Sequence, residues 1–139
     1  MGEVMRMSTP ESRLRPWLTR IGRLFLSAIF IRSAITKILA PQATQAYMAK
    51  FQVPGWLLIP TILVLLLGGL SVLMGYKVRW GAAFLIGFLI PATLIFHTDF
   101  SKNIEVIQFW KNLALIGGLL LVIADDSGGG AGRPDASEP

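Results

Sequence analysis

Two long apolar runs, residues 80–96 and 106–121, are separated by one short polar turn, Thr98-Asp99-Phe100-Ser101-Lys102-Asn103. Two more runs precede them, at 17–39 and 56–73. Each is close to the ~20 residues that a helix needs to cross ~30 Å of hydrocarbon. Backbone groups inside lipid must be satisfied within the segment, which makes such runs helical. The links between the second and third runs and between the third and fourth are only a few residues long. Successive helices are therefore antiparallel neighbours. The expected fold is all-α: an integral membrane four-helix bundle, up-down-up-down.

Composition supports this. The chain is 53% hydrophobic and only 15% charged, against about a quarter charged in soluble domains. It has no cysteine, which excludes disulfides, thiol relays, iron–sulfur clusters and cysteine-ligated zinc. The net charge is +5, but most of the basic residues flank apolar runs. That is the pattern of membrane orientation, not of nucleic-acid binding.

The expected organisation is a polar, basic segment over 1–16, a four-helix membrane domain over 17–124, and a disordered Gly/Ser/Asp-rich tail over 125–139. A basic start before an apolar run also describes a signal peptide. The length of the first run, and Pro41 directly after Ala40, favour an uncleaved first span. Residues 40–54 lie between the first two spans. There Pro41 suits the first turn of a short helix, whose Tyr47, Met48 and Phe51 share one face on the membrane surface. An ordered loop packed over the mouth of the bundle is the alternative.

Arginines 6, 13, 15, 20 and 23 precede or open the first span, and Lys77 and Arg79 lie between the second and third. Lys50 and Lys102 fall in the opposite loops, with Lys37 and Lys111 near helix ends. The bias predicts both termini in the cytoplasm.

Polar residues within the spans are the candidates for function. Arg32 lies well inside the first span, where an arginine costs ~2.5–3.5 kcal/mol on the insertion scale. Nine Leu, Ile and Phe residues between Leu24 and Leu39 return ~0.3–0.6 kcal/mol each. Arg32 is therefore expected to face protein or trapped water, near Lys37. Glu105, Gln108 and Asn112 are spaced by three and four and form one stripe on the fourth span. His97, the single histidine, and Asp99 close the third. All of these belong to the non-cytoplasmic half. Two readings stand: a polar pocket for a ligand, and the simpler one, an interhelical hydrogen-bond network worth ~0.6 kcal/mol per bond. One histidine cannot supply two haem ligands, and its spacing from Asp99 and Glu105 is unspecific, so no metal site is expected. Gly68-Gly69 and Gly117-Gly118 are expected to permit close helix approach, and Pro91 to kink the third span.

Several motifs run through most of the chain. The first span carries Arg23-Leu24 and Ile29-Phe30-Ile31-Arg32-Ser33-Ala34-Ile35-Thr36-Lys37. The following loop has Ala46-Tyr47-Met48-Ala49 and Val53-Pro54. The second span has Gly68-Gly69-Leu70 and Leu73-Met74-Gly75-Tyr76-Lys77. The third ends Ile90-Pro91-Ala92-Thr93-Leu94-Ile95-Phe96-His97. The fourth holds Phe109-Trp110-Lys111-Asn112-Leu113-Ala114-Leu115-Ile116-Gly117-Gly118. Over about residues 23–123 the chain resembles the DoxX family of small bacterial membrane proteins. The pieces at 91–97 and 109–118 are the most specific.

The resemblance implies a four-helix protein of the bacterial cell membrane. Family members are linked to thiosulfate:quinone oxidoreductase activity and to membrane redox or oxidative-stress complexes. Two departures stand out. The family often has an acid where Leu65 stands, ahead of Gly-Gly-Leu, and its usual Ser-Gly is Ser33-Ala34 here. The leading expectation is a membrane subunit of a quinone-linked redox complex, with His97, Arg32, Gln108 and Lys111 offering hydrogen bonds to a quinone and Phe96, Phe109 and Trp110 walling it. Partners would be the lipid bilayer and other redox subunits, with homo-oligomers left open. The alternatives are a non-catalytic assembly scaffold and a carrier of a small lipid or solute.

Overall fold

The computed structural model describes residues 10–130, with residues 10–12 and 128–130 described by their backbone alone. The described chain is helical apart from short links. Helix α1 spans Pro10–Leu39 and α2 spans Pro41–Lys50. A 3-10 turn at Gly55–Leu57 leads into α3, Leu58–Met74. Helices α4, Val78–Phe96, and α5, Asn103–Gly130, complete it. Three stretches are long and apolar enough to cross a membrane: Gly55–Met74, Val78–Phe96 and Asn103–Ser127. A fourth span results if α1 is joined to α2, which is bent from it by 100°. Arg23, Arg32 and Lys37 account for the weaker character of α1, because each lies in its otherwise apolar length.

Two helix limits differ from those expected. Helix α1 begins at Pro10 and contains Pro16, so part of the basic segment is helical. Pro16 lies inside the helix, where it removes one i→i−4 hydrogen bond that the rest of the helix tolerates. Helix α5 continues through residues 125–130, which were expected to be disordered, and Asp125 is tied to Arg15 of α1 at 3.2 Å. Helix α4 runs through Pro91 as one element. Residues 1–9 and 131–139, part of the expected basic segment and tail, lie outside the described residues.

Local chemistry sets the turns. Pro41 opens α2 at its first position. Gly75 ends α3 in the left-handed conformation, φ 72°, that glycine tolerates best. Lys77 follows at φ 48°, and the Ser71 hydroxyl donates to the Tyr76 carbonyl at 2.6 Å. This short turn forces α3 and α4 side by side.

Adjacent helices run antiparallel. Arg23 of α1 lies beside Gly75, and Phe30 and Ile31 lie beside Gly69. Gly68 meets Leu85, and Ser71 meets Gly81. The core between the helices is built from Phe30, Leu65, Val72, Leu85, Leu89 and Leu119. A Cβ on Gly68 would fall 2.7 Å from Leu85 Cγ, and one on Gly69 would fall 2.9 Å from Ile31 Cγ1. The expected close approach at Gly68-Gly69 is therefore present. At the other pair it is not: Gly117 has nothing within 4 Å, and Gly118 meets Leu26 only at an ordinary 3.4 Å.

The helices pack in the order α1, α3, α4, α5, and α1 meets α5 only slightly. Two of their contacts, Arg15 with Asp125 and Leu26 with Gly118, lie in the half that holds the α3–α4 turn, the base. The half that holds α2, the mouth, is where the assembly opens. All four tryptophans, Trp17, Trp56, Trp80 and Trp110, are exposed. Two sit toward each end, where aromatic rings favour the membrane interface.

Candidate functional site

A partly open cavity of about 900 Å³ runs along α4 from His97 at the mouth to Trp80 near the base. Its walls are mainly apolar, from Phe30 of α1, Leu65 of α3, Phe84, Phe88 and Phe96 of α4, and Leu115 of α5. Sites for small organic ligands have this character: an apolar slot of 300–1,000 Å³ with a few placed polar groups.

Helix α2 roofs the cavity. Met48 is buried beneath it, and Thr44, Tyr47 and Met48 line the space. Tyr47 of α2 and Phe51, which caps its end, sit one turn apart and both pack on Phe96, at centroid distances of 5.4 and 4.9 Å. The shared face expected for these side chains exists, and it binds the end of α4. The segment is the short helix expected, and it packs over the mouth as the ordered-loop alternative required.

Five of the eight expected polar residues line the cavity: Lys37, His97, Gln108, Lys111 and Asn112. Glu105 stands directly behind. His97 caps the end of α4, and Glu105 lies in the first turn of α5, where a negative charge suits the helix dipole. The short link brings His97 Nδ1 to 2.7 Å from Glu105 Oε2, both side chains being mostly buried. An ionised carboxylate only accepts, so Nδ1–H is the donor. Nε2 is then the ring's remaining polar atom.

Deeper in, the buried Asn112 donates through Nδ2 to Thr93 Oγ1 at 3.0 Å, and Thr93 donates to the Leu89 carbonyl at 2.6 Å. On α1, Lys37 Nζ donates to Ser33 Oγ at 3.0 Å, one helical turn back. The stripe of Glu105, Gln108 and Asn112 thus faces inward as expected. It serves both readings, since Asn112 ties helices together while Gln108 lines the open space.

The structure corrects three assignments. Arg32 does not point into the helix assembly. It is exposed and lines a separate groove of α1 with Leu24, Ser27, Ala28, Ile31 and Leu73. The helical period explains this: Ser33 and Lys37, four apart, share the cavity face, and position 32 is turned about 100° from position 33. Asp99 is not in the cavity either. It lies in the exposed link, bonded to Ser101 and 3.6 Å from Lys102. The Ser101 hydroxyl, then its backbone N–H and the Lys102 charge, hold its carboxyl below the usual carboxylate range. Of the expected walls, Phe96 lines the cavity. Phe109 and Trp110 instead join Phe100 in an edge-to-face cluster outside it, with centroids 5.2 and 5.6 Å apart.

Sequence reasoning missed Ser33, Thr44 and Thr93. The i, i+4 spacing of Ser33 with Lys37 was the available signal. Thr93 had none by itself, because a lone threonine in an apolar run commonly bonds its own helix. Among the described residues there is no cluster of three metal-ligating side chains.

The DoxX family profile matches residues 18–98, more than half of the chain. The chain belongs to the DoxX family. The matched stretch takes in the 91–97 motif but stops short of the 109–118 motif. This DoxX protein is also 35% identical over 102 residues to inner membrane protein YqjF of Escherichia coli strain K12, covering 73% of this chain and 78% of that one. No solved structure matches it. Membership and the apolar helices together make it a multi-pass bacterial membrane protein in contact with the lipid bilayer.

Proposed function

We propose that this DoxX protein is a four-span membrane subunit of a quinone-linked redox system, with both termini cytoplasmic and the cavity mouth on the opposite side. The observation that carries this reading is the cavity: apolar walls, with Lys37, His97, Gln108 and Lys111 lining it.

The residues fit the group. A quinone has two carbonyl acceptors on an apolar ring and tail, and Lys37, Gln108 and Lys111 all bear N–H donors. His97 presents Nε2, which accepts or donates according to the ring's protonation, while Glu105 fixes the ring's orientation. The apolar side chains exclude water. When bound, a quinone would supply the electron-carrying couple. A partner with its own cofactor completes the system. The shallow meeting of α1 and α5 also favours a second reading, a carrier of a small lipid, because it opens the cavity sideways to the bilayer.

The test is quinone extraction from gently solubilised protein, beside an unrelated four-span control. Wild type should hold quinone above the control. His97→Ala and Gln108→Ala should each lose most of it with expression and native-gel mobility unchanged. Wild type at the control level would end the redox reading. Co-purifying phospholipid in place of quinone would support the carrier. Intact quinone content with damaged complex formation would indicate a scaffold.

A further inference from the structure

We infer that Arg32 and the groove beside it form a binding site for one anionic phospholipid, separate from the cavity. The guanidinium lies on an exposed face of a helix whose surroundings are apolar. Among the described residues no carboxylate or other acceptor pairs with its side chain. A permanently charged guanidinium held against hydrocarbon needs an anion or water. Its position supplies the means. Arg32 is seven residues before the end of α1 at Leu39, about 10 Å of helix rise. Snorkelling of the long side chain, together with local thinning of the bilayer, would let a lipid phosphate meet the fork.

The groove supplies the second half of the site. It holds about 370 Å³ and extends along α1 on both sides of Arg32, from Leu24 to Thr36, with Leu73 of α3 also lining it. Leu24 is eight residues from Arg32, about 12 Å along the helix. Ala28 and the buried Ser27 leave the depression between them. A phosphate seated on the guanidinium therefore places an acyl chain along a trough of matching character. The headgroup is read by charge and by a bidentate fork, and the chain by its apolar surface. The site does not depend on the quinone reading, because no residue of this groove lines the cavity.

The experiment is native mass spectrometry of the detergent-solubilised full chain, titrated with phosphatidylglycerol and, separately, with phosphatidylcholine of the same acyl chains. Wild type should retain one phosphatidylglycerol at about tenfold lower concentration than phosphatidylcholine, as one charge-assisted contact predicts. Arg32→Gln should abolish that preference, and Arg32→Lys should keep part of it. Ala28→Trp, which fills the trough but keeps the charge, should weaken both lipids. Lys50→Gln, an exposed change outside both sites, should leave the preference intact. Equal loss in Lys50→Gln would assign it to bulk charge and overturn the site. So would unchanged retention in Arg32→Gln. Displacement by millimolar inorganic phosphate alone would make the ligand a free anion. A wild-type dimer that Arg32→Gln dissolves would give the groove to a second copy. Either result overturns the lipid assignment.

Discussion

His97 Nδ1 and Glu105 Oε2 lie 2.7 Å apart and join the end of α4 to the first turn of α5. The two residues are eight apart in sequence, so the pair closes the helical hairpin as well as fixing an imidazole at the cavity.

Glu105→Ala should therefore have two effects. Loss of a bond to a charged group costs about 1.5–3 kcal/mol, read as a lower unfolding temperature in detergent. The freed ring also loses its fixed direction, so ligand retention should fall as far as in His97→Ala. Glu105→Gln keeps an acceptor and should restore most of the stability. Ligand binding unchanged in Glu105→Ala would remove any orienting role for the carboxylate.

The two glycine pairs should respond in opposite ways. Gly68→Ala presses a methyl group into Leu85 and should cost about 1–3 kcal/mol. Gly117→Ala meets open space and replaces a poor helix former, so it should be neutral or stabilising by up to about 1 kcal/mol. Thermal unfolding of both purified variants checks this. Equal destabilisation would contradict the packing described for α3 and α4.

Orientation is open to a direct measurement, because the chain has no native cysteine. Ser101→Cys, in the link at the mouth, should react with an impermeant thiol reagent in intact cells. Ser127→Cys, toward the end of α5, should react only after the membrane is permeabilised. The reverse pattern would invert the protein in the membrane.

The apolar runs were legible to within a few residues for α3 and α4, because lipid and the short polar links impose both length and limits. The ends of α1 and α5 were not. The polar, basic composition of 1–16 and the Gly/Ser/Asp composition of 125–139 carry no helical signal, yet both helices continue into these stretches, and Arg15 meets Asp125 there in an exposed pair. The site was legible where residues lie at helical spacing on one element, as Glu105, Gln108 and Asn112 do. It was misread at Arg32. The cost of a charge in lipid argues for an inward position, but the face of α1 is fixed by Phe30, Ala34 and the close contact at Gly69. Neighbouring apolar packing outweighs the preference of a single side chain, and sequence spacing alone does not reveal which face wins.

The stacking of Tyr47 and Phe51 on Phe96 has a kinetic meaning. Leaving upward through the roof requires three rings to separate, whereas leaving sideways, past exposed lining residues such as Pro60 and Phe84, breaks few contacts. Exchange should therefore follow how much of a molecule is dissolved in the bilayer, not how much is dissolved in water. A strongly partitioning molecule that is scarce in bulk solution would fill the protein, and a soluble one of the same headgroup chemistry would not.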